Sequence, residues 1–240
     1  MLSALLFCIY SNAETYSFAS IEYEPFGYIE NQTIKGIIPE IATAIADEAD
    51  IEIDITLLPY SRVVNYTKSG EVDFAIFSRN ADNDGEVEYI AKLFVQNVIL
   101  LTRKGDKLDN QEDIYNPEKI KNIGYLRGTN FCPEMLKDKR LVMHKINDFS
   151  QGLKMLNSHR ISAFLTIDTT ALYESHKLGL QDAFEFPGYS MKKIEAWLQI
   201  PKVQSQSKAF PVDRVRSAAD KLRAEGSIEA ILRKHLNHSL

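Results

Sequence analysis

Cysteine is nearly absent from this sequence: Cys8 and Cys132 are the only two in 240 residues. Cys8 sits in an apolar N-terminal run, and removal of that run as a leader leaves Cys132 with no partner for a disulfide within the chain. A chain of this length buries enough core to fold without one. Catalytic signatures are just as scarce. The sequence contains no GxSxG elbow, no Walker loop and no GxGxxG fingerprint. His144, His159 and His176 are isolated, while His235 and His238 have helical i, i+3 spacing but read as a solvated tail rather than metal ligands. Cys132 has neither a CxxC partner nor a neighbouring histidine, so no metal, no cofactor and no thiol nucleophile is expected. No apolar run approaches the roughly 20 residues of a membrane span. The net charge of −5 offers no bulk attraction to nucleic acid or acidic lipid.

What is present begins at the N-terminus. "LSALLFCIY", residues 2–10, is apolar and uncharged, and Ser11-Asn12-Ala13 follows with small residues where a secretory peptidase requires them. Residues 1–13 are therefore expected to be a signal peptide, with Glu14 opening the mature chain. The basic n-region is lacking, and the other reading is a buried first strand or helix. Phe7 is too large to precede a lipidated Cys8, so a soluble exported protein is expected.

Strand and helix patterns alternate almost throughout. "IKGIIPEIATAIADEA" puts Ile38, Ile41, Ile45 and Ala49 on one helical face, with Pro39 in the first turn. "IEIDITLL" alternates as a strand, and "SRVVNYTKSG" reads as a short helix from a Ser cap to Gly70. "VDFAIFS" and "FVQNVILLT" are strands. "IGYLRG", "LVMHKI", "SQGLKMLNS", "ISAFLTI" and "TTALYESHKLG" continue the alternation, and "EAWLQIP" leads to two closing helices. The polar stretch 103–113 reads as a linker or surface excursion. Alternating units predict an α/β fold with mainly parallel sheets covered by helices. Such sheets bind ligands at the carboxyl ends of their strands, and there "VDFAIF" gives way to the polar loop "SRNADNDG".

Five segments in order extend this reading. "YEPFGYIENQTIKGIIPEIATAIADEA", "LLPYSRVVNYTKSGEVDFAI", "IGYLRGT", "LKMLNSHRISAFLTIDTTALYESHKLGL" and "LRAEGSIEAILRKHL" span nearly the whole mature chain. Together they resemble the extracellular solute-binding proteins of family 3, the periplasmic amino-acid receptors of ABC importers. The resemblance implies a two-lobed periplasmic binding fold of type II, with two crossover strands joining the lobes. Lobe one would comprise 14–98 plus 199–240, and lobe two 99–198.

It also implies roles. Tyr23 and Tyr60 fall where family members place rings that sandwich the ligand, and such rings desolvate a solute at low entropic cost. Ser78 and Asn80 fall among ligand-contacting hydroxyl and backbone groups, and Thr129 and Asn130 after Gly128 would face them from lobe two. Asp168 lies near the carboxylate used for an α-ammonium. One extra residue in "ISAFLTID" puts Ile167 there instead, and Asp168 also reads as an N-cap.

The chain departs from the family at one place. Amino-acid binders carry an arginine shortly past the serine loop to grip the α-carboxylate, but 81–90 holds none and is acidic at Asp82, Asp84 and Glu86. Arg62, Arg79 and Arg127 are the candidates to compensate. The resemblance implies a monomeric binding protein that hands a small polar solute to a membrane permease. Two alternatives stay open: a sensing module acting through a membrane partner, and a cyclohexadienyl-dehydratase-like enzyme using Asp168 or Glu174.

Overall fold

A computed structural model describes residues 14–127, 129, 131–203 and 209–237, so the expected signal peptide, Gly128, Asn130 and His238 lie outside the described residues. The chain opens with β1 (Thr15–Ile21), a hairpin of β2 (Tyr28–Glu30) and β3 (Thr33–Lys35), and α1 (Ile37–Glu48). The hairpin was not foreseen. Its two-residue turn puts Asn31 and Gln32 at φ of 50 and 64, the left-handed geometry that matches strand twist in tight hairpins. In α1 the expected face is buried, and Pro39 sits in the first turn, where its missing N–H costs no intrahelical bond.

Next come β4 (Glu52–Leu58), α2 (Tyr60–Ser69), β5 (Phe74–Ser78) and the long β6 (Val87–Leu101). Helix α2 ends as expected on Gly70 in the left-handed conformation. Its N-cap is Pro59 rather than a serine: Ser61 lies inside the first turn and makes no cap bond. Then follow β7 (Ile123–Leu126), α3 (Pro133–Lys137), β8 (Met143–Ile146), α4 (Phe149–Asn157), β9 (Ala163–Ile167) and α5 (Asp168–Lys177). Strand β10 (Tyr189–Pro201) leads to α6 (Val212–Ala224) and α7 (Ser227–Asn237).

One sheet carries the order β4-β1-β5-β10-β6-β9-β7-β8. Its ends are parallel, β1 with β4 and β5, and β7 with β8 and β9. Its middle is antiparallel, because β10 runs against β5 and β6, and β6 against β9. The apolar side chains nevertheless form separate cores. Phe18, Ile41, Phe74, Phe94, Leu198 and Val215 pack in one, whereas Ile99, Leu153 and Phe164 pack in another. Val98, Leu100 and Leu165 fill the opposite face of the second half of the sheet. Both β6 and β10 thus pass from one core to another within a few residues.

Stretch 103–113 is a surface excursion and not a linker. Leu108 and Ile114 are buried in the second half, and Asp113 accepts from Lys119 at 2.8 Å and from the Asp109 amide at 2.8 Å. The tail reading of His235 also needs correcting. Its Nε2 lies 2.8 Å from Glu40 Oε2, and Lys234 Nζ lies 2.7 Å from Glu40 Oε1, so α7 is docked on α1. Helical spacing alone could not reveal a partner almost two hundred residues away. Burial works against a charged Glu40, yet the bonds from Lys234 and His235 outweigh it and hold its carboxyl below the usual range. A depressed folded-state pKa stabilises above the unfolded-state value and ceases to do so as pH falls through the depressed one. Glu40→Gln should therefore cost about 1 kcal/mol at neutral pH. In urea unfolding, the gap from the wild type should close as the solution is acidified below the carboxylate range.

Candidate functional site

The polar loop after β5 is built from the alternation of the strand. Phe74 and Ile76 point into the first core, and Ala75 and Phe77 into a smaller cluster under α2. Continuing that alternation separates Ser78 from Arg79. The Arg79 guanidinium lies 4.8 Å from the centroid of Tyr89 and 5.8 Å from that of Trp197, with Asp84 at 3.7 Å. Asn80 accepts from the Asp82 amide at 3.2 Å and caps a 3-10 turn over Ala81–Asn83. The Asn80 carbonyl accepts from Tyr89 Oη at 2.8 Å, and burial with the nearby Asp84 pushes that phenol up to about 12. Lys202 Nζ donates to the Asp84 carbonyl at 2.6 Å, and Lys68 pairs with Glu86 at 2.7 Å. The dense polar run partly holds itself: Arg79 answers the Asp84 carboxylate, Lys68 that of Glu86, and Lys202 ties down the Asp84 backbone.

Tyr60 and Arg62 occupy the first turn of α2. The Tyr60 ring is 50% exposed and meets Phe77 edge-on at 6.4 Å between centroids. Surrounding protein still pushes its phenol upward by desolvation. Arg62 is exposed and forms no ion pair among the described residues, and the same holds for Arg127 at the end of β7. Thr129 Oγ1 donates back to the Leu126 carbonyl at 2.8 Å.

Tyr23 is placed differently. It follows β1, packs partly in the first core and partly in the second, and its ring lies 5.1 Å from Phe149 at the head of α4. Burial raises its phenol well above the ordinary tyrosine value. The next residue, Glu24, accepts from Tyr173 Oη at 3.0 Å and Lys177 Nζ at 2.5 Å, both on α5. Neither Glu24 nor Phe149 was singled out from sequence, although Glu24 stands inside the "YEPF" motif.

Asp168 is the first residue of α5 and not its cap, which is Ile167. Asp168 Oδ1 accepts from the Thr169 amide at 2.7 Å and from Thr169 Oγ1 at 3.1 Å. Its Oδ2 accepts from Asn97 Nδ2 on β6 at 2.7 Å, so both oxygens have partners. On the same helix Glu174 is half-buried, and burial, reinforced by Glu24 and Asp148, raises its carboxyl. Among the described residues, no group of three or more His, Cys, Asp and Glu could hold a metal, and no helix is long and apolar enough to cross a membrane.

A family model describing the bacterial extracellular solute-binding proteins, family 3, matches residues 18–238. The chain belongs to that family. Among curated relatives of this chain is the arginine-binding extracellular protein ArtP of Bacillus subtilis (strain 168), 24% identical over 63% of this chain. That match spans 60% of the relative's own length. Among solved structures, a substrate-binding domain classed with an amino acid ABC transporter of Streptococcus pneumoniae superposes with a TM-score of 0.71. It is 19% identical and covers 92% of this chain and 99% of that one. A histidine kinase sensor domain with similarity to periplasmic binding proteins gives a TM-score of 0.70 at 17% identity, covering 94% and 96%. At such identities these likenesses establish the fold, which is that of the two-lobed periplasmic binding domains.

Proposed function

We propose that this solute-binding chain is exported to the periplasm, captures a small polar solute between its lobes and delivers it to an ABC-type permease. The separation of the cores carries this reading. Phe94 packs with the first core and Val98 in the cluster on the opposite face of the second half of the sheet, so β6 crosses within a few residues, and β10 crosses back between Ile194 and Ala196. Two rigid bodies joined by two strands are suited to hinge closure around a ligand. Lobe one comprises 14–98 plus 199–240 and lobe two 99–198, with the packing of Ala196 and Leu198 drawing the second crossing slightly upstream.

The contacts assigned to the solute are Tyr60, Arg62 and Ser78 from lobe one, and Arg127, Thr129 and Asn130 from lobe two. Tyr23, Arg79, Asn80 and Asp168 act as supports, because their polar or aromatic faces are engaged within the protein. The solute is an amino acid or a related compound, a reading that the arginine-binding relative supports. Arg62 and Arg127 then supply the cation that the acidic loop lacks. Single alanine variants at Arg62, Arg79 and Arg127 test this by calorimetry with an amino acid that binds the wild type. Loss of binding is expected at Arg62 or Arg127, with a milder effect at Arg79 acting through the loop. Normal binding by all three would mean that no carboxylate is gripped.

A second reading, a sensing module acting through a membrane partner, is favoured by the likeness to a kinase sensor domain. Catalysis through Asp168 finds less support, since that carboxylate already has a donor on each oxygen.

A further inference from the structure

We infer that Tyr23 and Glu24 form a latch that closes lobe one onto lobe two without help from a solute. This goes beyond the proposed function, because the latch consists of the protein's own side chains and holds whichever solute binds. The loop that carries it is not a flap. Its Tyr23 amide donates to the Gly27 carbonyl at 2.7 Å, and the Phe26 and Gly27 amides return to the Tyr23 carbonyl at 2.7 and 2.9 Å. The Ile37 and Ile38 amides at the head of α1 donate to the carbonyls of Pro25 and Phe26, which ties the loop to the first core.

The receiving surface is equally firm. Phe149 is buried and packs on Phe164, and α5 buries Thr170, Ala171 and Ser175. Between these two fixed surfaces lie one apolar contact, Tyr23 on Phe149, and one carboxylate with two donors, Glu24 with Tyr173 and Lys177. Hydrogen bonds to an ionised acceptor are stronger than neutral ones. The Lys177 bond holds the Glu24 carboxyl below the usual range, so the contact is made in its charged form at neutral pH. The Asn97–Asp168 bond fastens the head of α5 to the crossing strand β6, so the helix that Glu24 grips is held against the hinge. A closed form with stability of its own raises the binding-competent fraction and tightens apparent affinity in proportion.

Small-angle scattering on the full purified protein, stripped of carried solute by unfolding and refolding, tests the latch without any ligand. The wild type should match the profile calculated from this structure. Lys177→Met and Glu24→Gln should each shift it to a larger radius of gyration, and Tyr173→Phe, which removes a single oxygen, should shift it the same way by less. The paired exchange Glu24→Lys with Lys177→Glu should restore compactness, which damage to folding would not do. A stripped wild type as open as its variants, or variants as compact as the wild type, would overturn the inference. Either result leaves solute binding to be judged separately, since no solute enters the experiment.

Discussion

Phe164→Ala should lower the unfolding free energy by about 3–5 kcal/mol, the range for deleting a fully buried ring. Phe164 lies on β9 with no exposed surface, and its ring fills the space left by the missing side chain of Gly152 on α4. A Cβ at Gly152 would stand 2.4 Å from the ring Cζ, so helix and strand approach as closely as they do because this position has no side chain. Truncating the ring loses its transfer free energy and leaves a cavity that a helix held by Leu153 and Leu156 cannot readily fill. The loss is a large share of the 5–15 kcal/mol that usually separates folded from unfolded chains. It also reaches function, because Phe149 loses the ring behind it at 6.1 Å, and Tyr23 rests on Phe149. Gly152→Val is the converse: overpacking against the same ring should cost about 1–3 kcal/mol. Urea unfolding measures both, and a loss below about 1 kcal/mol for Phe164→Ala would mean that α4 settles into the space.

Tyr60→Ala should behave in the opposite way, sparing stability while weakening solute binding by about 1–3 kcal/mol, or roughly five- to 150-fold. The ring is half-exposed and its described aromatic contact is edge-on to Phe77, so the folded chain loses little when it goes. An accessible aromatic offers flat apolar area with only two side-chain torsions to immobilise. Calorimetry with a solute that binds the wild type, beside a urea melt, separates the two effects. Unchanged affinity would remove Tyr60 from the site.

Local pattern carried much of this molecule. The buried face of α1, the end of α2 at Gly70 and the strand "VDFAIF" followed from spacing, because period and cap are properties of neighbouring residues. The ordered segments led to the family, and the family led to two lobes. What stayed hidden depended on distant partners. Strand β6 runs fifteen residues, longer than its apolar part suggested, because it pairs with different neighbours along its length. Arg79 looked available in sequence but stacks on Tyr89 and Trp197, the latter more than a hundred positions away. Asp168 could be placed at the head of a helix, but its bond to Asn97 depends on the crossing of β6. Glu24 escaped attention because it is an ordinary surface acid until α5 is brought to it by the fold.

Thermal unfolding of the purified protein against a panel of small solutes at about 1 mM tests the central claim most directly. The panel should include L-amino acids, polyamines, dicarboxylates and small sugars. A solute of micromolar affinity adds about 4 kcal/mol by mass action, which in a chain of this size is roughly 10 °C in midpoint. A shift of that order with amino acids is the predicted result, and it would be lost or reduced in Tyr60→Ala. A flat panel, with no solute moving the midpoint, would contradict solute capture by this chain alone.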